Sequence, residues 1–385
     1  MPFEEGSALV SGGKSVSNIF RARRSFENSS FVAAMVTDRR MDDGGSGSVV
    51  GVDGSLRFLQ QYSFRWQLLA SHTQELNDAT LSTASGLNDR TFDGGAHTAA
   101  LDGESFSGHG LSVGVDRGGR NFGFELNYDQ LSPTFRTDNG FVTMNDNRRF
   151  NGMTRYSFWF TDHPVFNRIN LYGGVNRFWN FDNLRKDEAI FGGFNLQMKR
   201  QTFINVNAFT SNELFAGVQF NGIERVNVFM RSNFSEKVQL GGRLNAGDGI
   251  YRNPSAPEMG SQVNAGAELM LIPTDRLVID SGLNYSRLRN RTTGENYFSG
   301  YILRSRLNYQ FTRKLLTRVI VQYNDFAERL EVDPLVTYRI SPFTVFHVGS
   351  THRFQDFPGQ LDQQSMVFQQ TERQIFFKFQ YLFRM

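Results

Sequence analysis

Eight charged side chains recur within segments that otherwise alternate apolar and polar residues: Glu125, Arg243, Glu268, Asp280, Arg304, Arg306, Arg318 and Lys378. Ranged along the inside of a tube, such groups could set the preference of an aqueous passage for ions or polar solutes. They could equally pair with one another to satisfy their charges. No comparable case exists for catalysis. The six histidines, His72, His97, His109, His163, His347 and His352, show no metal-ligand spacing on a helix, and the last two, five apart, fall on opposite faces of a strand. The stretch LDGESFSGHG gathers Asp102, Glu104, Ser107 and His109, a base, two carboxylates and a hydroxyl, but only proximity in sequence recommends them as a hydrolytic site. Asp42 and Asp43 read as a solvated turn before they read as calcium ligands. GGRNFGF and GGFNLQ lack the strand-to-helix setting of a phosphate loop. No catalytic, cofactor-binding or metal-binding residue is therefore assigned, and no cofactor is expected.

The elements that must position these charges are strands. In YILRSRLNYQF, Tyr301, Leu303, Ser305, Leu307, Tyr309 and Phe311 share one face, and Ile302, Arg304, Arg306, Asn308 and Gln310 the other. In NFGFELNYD, Phe122, Phe124, Leu126 and Tyr128 oppose a face that includes Glu125. Asp280, Glu268, Arg318 and Arg243 lie opposite apolar faces in the same manner. The terminal RQIFFKFQYLFRM sets Ile375, Phe377, Phe379, Tyr381 and Phe383 against Gln374, Phe376, Lys378, Gln380, Leu382 and Arg384. Period two recurs throughout, and no helical periodicity rivals it.

Composition agrees. The 385 residues include 38 Phe, 12 Tyr and 37 Gly, which favour strands and turns. With no cysteine, a disulfide framework and a thiolate metal site are both excluded. A net charge of +3, without a clustered basic face, argues against nucleic acid. Mean hydropathy is -0.40, and no run is long enough for a membrane-spanning helix. That leaves a membrane β-barrel open, because its alternating strands average out as polar.

Connections alternate between long and short. Residues 39–47, 73–105, 132–148, 182–186, 210–213, 247–261, 291–297, 325–330 and 354–373 read as outer loops. The segments 59–61, 117–120, 161–165, 200–201, 232–236, 274–275, 312–314 and 341–343 read as inner turns. The alternation requires one long bulged strand over residues 214–231, around Gly222. About 18 strands are expected between residues 29 and 384, with a further one near 15–24. Residues 1–14 are expected to be disordered or a strand remnant, and 73–105 is the other expected disordered piece. The fold expected is an all-β, antiparallel, up-and-down transmembrane β-barrel over residues 15–385. Tyr301, Tyr309, Trp159, Trp179 and Tyr381 suit interfacial aromatic girdles.

Several stretches carry a family resemblance. FVAAMVTDRR, SVVGVDGSLRF, NYDQLSPTFRTDNGFVTMNDNRRF, LNYQFTRKLLTRVIVQYND and the terminal RQIFFKFQYLFRM resemble the barrel portion of the domain-of-unknown-function 5916 family, with LSPTFRTDNGF and YQFTRKL the most telling. The likeness runs from about residue 15 onward. It implies an envelope protein of the Gram-negative outer membrane, in which a carbohydrate-binding family 9-like domain precedes the barrel. No signal peptide opens the chain, so it is expected to be the C-terminal part of such a protein. The resulting expectation is an outer-membrane channel, transport or envelope-anchoring barrel. Its partners would be the lipid bilayer, lipopolysaccharide, the barrel assembly machinery, and polysaccharide or small solutes. The alternatives are an outer-membrane enzyme or glycan-handling protein whose active domain lies upstream, and a soluble all-β binding module.

Overall fold

A computed structural model describes residues 14–382, apart from 43, 83–85, 88 and 357–367. The expected disorder at residues 1–13, the ligand reading of Asp43, and the alternation at Phe383 and Arg384 lie outside the described residues.

Strands dominate, and among the described residues there is no α-helix. They are β1 (Ser15–Ser25), β2 (Phe31–Met41), β3 (Ser46–Phe58), β4 (Tyr62–Gln74), β5 (Thr91–Phe92), β6 (His97–Thr98), β7 (Ser105–Gly118), β8 (Phe122–Leu131), β9 (Asn147–Trp159), β10 (Phe166–Trp179) and β11 (Arg185–Met198). There follow β12 (Phe203–Phe215), β13 (Val218–Ser235), β14 (Val238–Tyr251), β15 (Glu258–Thr274), β16 (Leu277–Asn290), β17 (Asn296–Gln310), β18 (Leu315–Asn324), β19 (Arg329–Ser341), β20 (Thr344–Asp356) and β21 (Phe368–Tyr381). Setting aside the two-residue β5 and β6, which pair only with each other, 19 strands remain. That is the expected 18 plus the additional N-terminal one.

The chain divides into two compact units. The first holds Met1–Ser157 with Tyr172–Phe191 and Ser211–Leu214; the second holds Phe158–Leu171 and Gly192–Thr210 with Phe215–Met385. In the first, β1, β2, β3, β4, β7, β8 and β9 pair antiparallel in chain order. In the second, β13 to β21 do the same. Each strand therefore returns beside its predecessor, the meander that alternating turns and loops foretell.

Several boundaries shift: β13 runs on to Ser235 through the expected 232–236 turn, the expected 247–261 loop is only 252–257, and the expected 210–213 loop is absent. β12 runs through residues 210–213, and the chain reverses instead at Ala216 and Gly217, whose φ angles of 47° and 78° are both left-handed. A two-residue hairpin needs this conformation, but alanine does not advertise it as Asn-Gly would. The long strand does exist, shifted to Val218–Ser235, and Gly222 bends it with a φ of 66°. Tyr301 also sits further inside its strand than a girdle at the strand end requires, because β17 begins at Asn296.

The two faces of each strand differ in what they meet. On β21 the outward residues Ile375, Phe377, Phe379 and Tyr381 are 54%, 70%, 64% and 54% exposed. Val32 and Val36 on β2, Val50 and Val52 on β3, and Leu303 and Leu307 on β17 are likewise exposed. On the opposite face, Phe376 is the one large apolar group of β21. It lies over Gly349, its Cα partner on β20, where a Cβ would sit 2.5 Å from the ring.

Candidate functional site

The polar face of the C-terminal unit is a set of rows running across the strands. One row follows the register from Glu268 on β15 through Gly282 and Arg304 to Gln322, Glu331, Arg353 and finally Glu372 on β21. Arg353 bridges it, reaching Glu331 at 3.3 Å and pairing with Glu372. In the next row Asp280 and Arg306 are direct cross-strand partners and form an ion pair. These groups are all part-exposed, so each pair is worth at most about 1 kcal/mol. Farther along, Asn227 donates to Asn207 at 2.7 Å and accepts from Asn245, while Ser286 donates to Asn264.

All eight charged residues singled out from the sequence lie on the polar faces of their strands. Only Asp280 and Arg306 are brought into a direct pair. Arg304 faces Gly282 and Gln322, and Glu268 faces Gly241 and Gly282. Arg243 faces Gly266 and donates to Asn284. Arg318 faces Asn308 and Leu335, its Nε buried without a partner among the described residues. Lys378 is opposite His347. Glu125 belongs to the N-terminal unit, where Arg65 lies 3.4 Å from it and 3.3 Å from Asp116.

In the N-terminal unit the corresponding face is covered by the chain itself. Residues 132–146, an outer loop by sequence, turn inward over the polar faces of β2, β3, β4 and β7. Thr134 Oγ1 donates to the Ser107 carbonyl at 2.7 Å, Arg39 to the Asp138 carbonyl at 2.9 Å, and Asn139 Nδ2 to the Asp38 carbonyl at 3.0 Å. Phe135 is only 2% exposed. Glycine makes the close approach possible: a Cβ at Gly108 would collide with the backbone of Thr134 and Phe135, and one at Gly47 with the carboxylate of Asp138. Burial pushes the Asp138 pKa above the usual carboxylate range, against the pull of Arg136 and Arg39.

Arg136 is the hinge of this arrangement. Its guanidinium carbon stands 4.6 Å from the Phe106 ring centroid and 5.5 Å from that of Phe92, and it pairs with Glu75, whose side chain is 1% exposed. Glu75 follows the last residue of β4 and opens the 75–104 segment. That segment, expected to be disordered, is structured where described: β5 and β6 form a small ladder, Asn77 bridges Asp102, and Glu75 N donates to the Glu104 carbonyl at 2.9 Å. Asp102 and Glu104 bring carboxylate oxygens within 4.8 Å of one another and of Glu75.

The hydrolytic grouping is not assembled. Ser107 Oγ is bonded to His72 at 3.0 Å, Glu104 to His97 at 2.9 Å, and Asp102 accepts from Thr98 at 2.8 Å. His109 packs edge-on against Phe181, 5.7 Å between ring centroids. His347 and His352 do fall on opposite faces, the first bonded to Thr337 and Gln380, the second to Ser350 and Gln370. Sequence reasoning missed Glu75, Arg136 and Asp138; glycines at alternate polar-face positions, Gly47 and Gly108, were the signal available.

No protein-family profile matches the chain, and no curated protein is significantly similar to it. Among solved structures it is similar to a mutant of the ferric enterobactin receptor PfeA of Pseudomonas aeruginosa, at 9% identity and a TM-score of 0.46, covering 89% of this chain and 66% of the receptor. The siderophore receptor PirA of Acinetobacter baumannii gives 9% identity and a TM-score of 0.42, over 88% of this chain and 65% of the other. The ferric-catecholate import receptor Fiu of Escherichia coli K12 gives 8% and 0.40, over 88% and 70%. The chain thus spans about two thirds of the length of these receptors.

Proposed function

We propose that the chain is a transmembrane β-barrel of the Gram-negative outer membrane, whose polar strand faces line an aqueous passage for small polar solutes and whose 132–146 loop narrows it. The observation that carries this reading is the exposure of one apolar face on strand after strand. A soluble sheet would have to bury Ile375, Phe377, Phe379 and Tyr381, whereas lipid is a solvent in which they can stay exposed. The opposite face, with its ion pairs and amide rows, needs water or mutual pairing.

The height of the apolar band agrees. Outward-facing Tyr285, Tyr301 and Tyr323 lie near one level of β16 to β18, Tyr285 directly beside Tyr301, and Tyr309 marks the other level of β17. Eight residues of strand span about 27 Å at ~3.4 Å each. At a tilt of about 40° that is roughly 20 Å along the membrane normal, comparable with an apolar band ~25 Å tall. On this reading the apolar face contacts lipid and lipopolysaccharide, and the aromatic β21 is what the barrel assembly machinery engages. The likeness to the domain-of-unknown-function 5916 family belongs to the same proposal.

Because the chain has no cysteine, single cysteines give a clean test. In intact membranes, a water-soluble maleimide should label Arg304→Cys and Lys378→Cys but spare Leu303→Cys and Phe377→Cys. Labelling of the apolar pair instead would sink the membrane reading.

A further inference from the structure

The geometry points to a divalent-cation site, of calcium type, built by Glu75, Asp102 and Glu104 at the base of the 75–104 segment. Their carboxylate oxygens lie within 4.8 Å of one another. Calcium holds oxygens at about 2.3–2.6 Å, so ligands on opposite sides of one ion stand roughly 4.6–5.2 Å apart. Three oxygens at that limit would stand about 2.8 Å from a central ion, so a shift of a few tenths of an ångström brings all three into coordination.

A second observation is independent of the clustering. The Glu75 side chain is 1% exposed, and while Arg136 takes Oε1, Oε2 is buried with no hydrogen-bond partner among the described residues. A buried carboxylate oxygen left unpaired is costly, and a cation is the partner that would satisfy it. Charge balance points the same way, since three carboxylates face one guanidinium and the single imidazole of His97, which is bonded to Glu104. Burial, together with Glu104 and Asp102, raises the Glu75 pKa despite Arg136.

The donor set selects the ion. All three ligands are hard carboxylate oxygens, which suit calcium or magnesium rather than zinc or copper. They come from two separate chain segments, and Asp102 is exposed, an irregular shell that accommodates calcium better than the strict octahedron of magnesium. Water would complete the coordination. Bound there, the ion would staple the residue after β4 to the residues before β7, and through Arg136 it would firm the inward loop.

The test uses the full chain refolded in a non-ionic detergent free of lipopolysaccharide, with calcium chloride as the titrant in calorimetry. Saturable binding near one ion per chain is expected, weakened about tenfold or more in Asp102→Asn and in Glu104→Gln. It should be unchanged in Asp280→Asn, an acidic residue outside the cluster. Limited proteolysis should show the 75–104 segment protected by calcium and less by magnesium. Absence of a saturable site, or its survival in both Asp102→Asn and Glu104→Gln, overturns the assignment. Circular dichroism checks that each variant retains its strands, and Glu104→Gln serves where Asp102→Asn fails to fold. The outcome does not depend on whether the chain crosses a membrane.

Discussion

The two units use glycine on the polar strand face for opposite purposes. In the N-terminal unit, Gly108 clears space for another piece of backbone, that of Thr134 and Phe135 in the 132–146 loop. In the C-terminal unit, Gly241 and Gly266 clear space for long side chains of neighbouring strands: a Cβ at Gly241 would lie 3.2 Å from Glu268, and one at Gly266 2.7 Å from Nε of Arg243. One vacancy is filled by rigid main chain, the other by flexible charge. The first therefore tolerates almost nothing in place of hydrogen, whereas the second can give way. The ion pairs follow the same division, with Glu75 to Arg136 buried beneath a loop and Asp280 to Arg306 open on a strand face.

The sharpest way to break this contrast is to remove one partner from each pair. Arg136→Ala should lower unfolding stability by about 3 kcal/mol or more, because it strands a buried carboxylate. Arg306→Ala should stay within ~1 kcal/mol, because Asp280 is 36% exposed. Denaturant titrations of both in the same detergent, with chelator present, would decide; equal losses would erase the distinction. Next in size, Gly108→Ala should cost ~1–3 kcal/mol through overpacking and leave residues 132–146 open to protease. Gly241→Ala, which meets the Cβ and the carboxylate of Glu268 at 3.2 Å and no backbone of another segment, should cost less than Gly108→Ala in the same assay.

The smallest effect is one of pH. Since Asp138 holds its proton more tightly when the loop is folded than when it is released, its contribution is fully present below the ordinary aspartate value of 3.8. It is lost as pH rises through the raised folded value. Loop protection against protease should therefore weaken as pH rises above the ordinary aspartate value, and Asp138→Asn should flatten that dependence. A wild-type slope of the opposite sign would remove burial as the cause.

Much of the architecture was legible because period two is a strong signal: turns at 59–61, 275–276 and 342–343 fall within a residue or two of where alternation breaks. The reversal at Ala216 was not, because a left-handed alanine looks like any other. Nor was the inward loop. SPTFRTDNGF is polar and turn-rich, which reads as surface, and only the register of β3 and β7 shows that two glycines stand beneath it. The carboxylate trio was hidden for a related reason: Glu75 lies just past a strand end, far along the chain from Asp102 and Glu104, and the small β5 and β6 ladder folds the intervening segment back.

Phe376, resting over Gly349, has a further consequence. A two-residue slip of β21 along β20 would keep every apolar side chain on its proper face, so alternation alone cannot forbid it. Slipping would bring Gln374 onto Gly349 and Phe376 onto His347, or Lys378 onto Gly349 and Phe376 onto Thr351, the neighbouring same-face positions. The aromatic ring in its notch thus works as an indexing pin, which lets the last strand find one alignment among several that the alternation of its faces would accept equally.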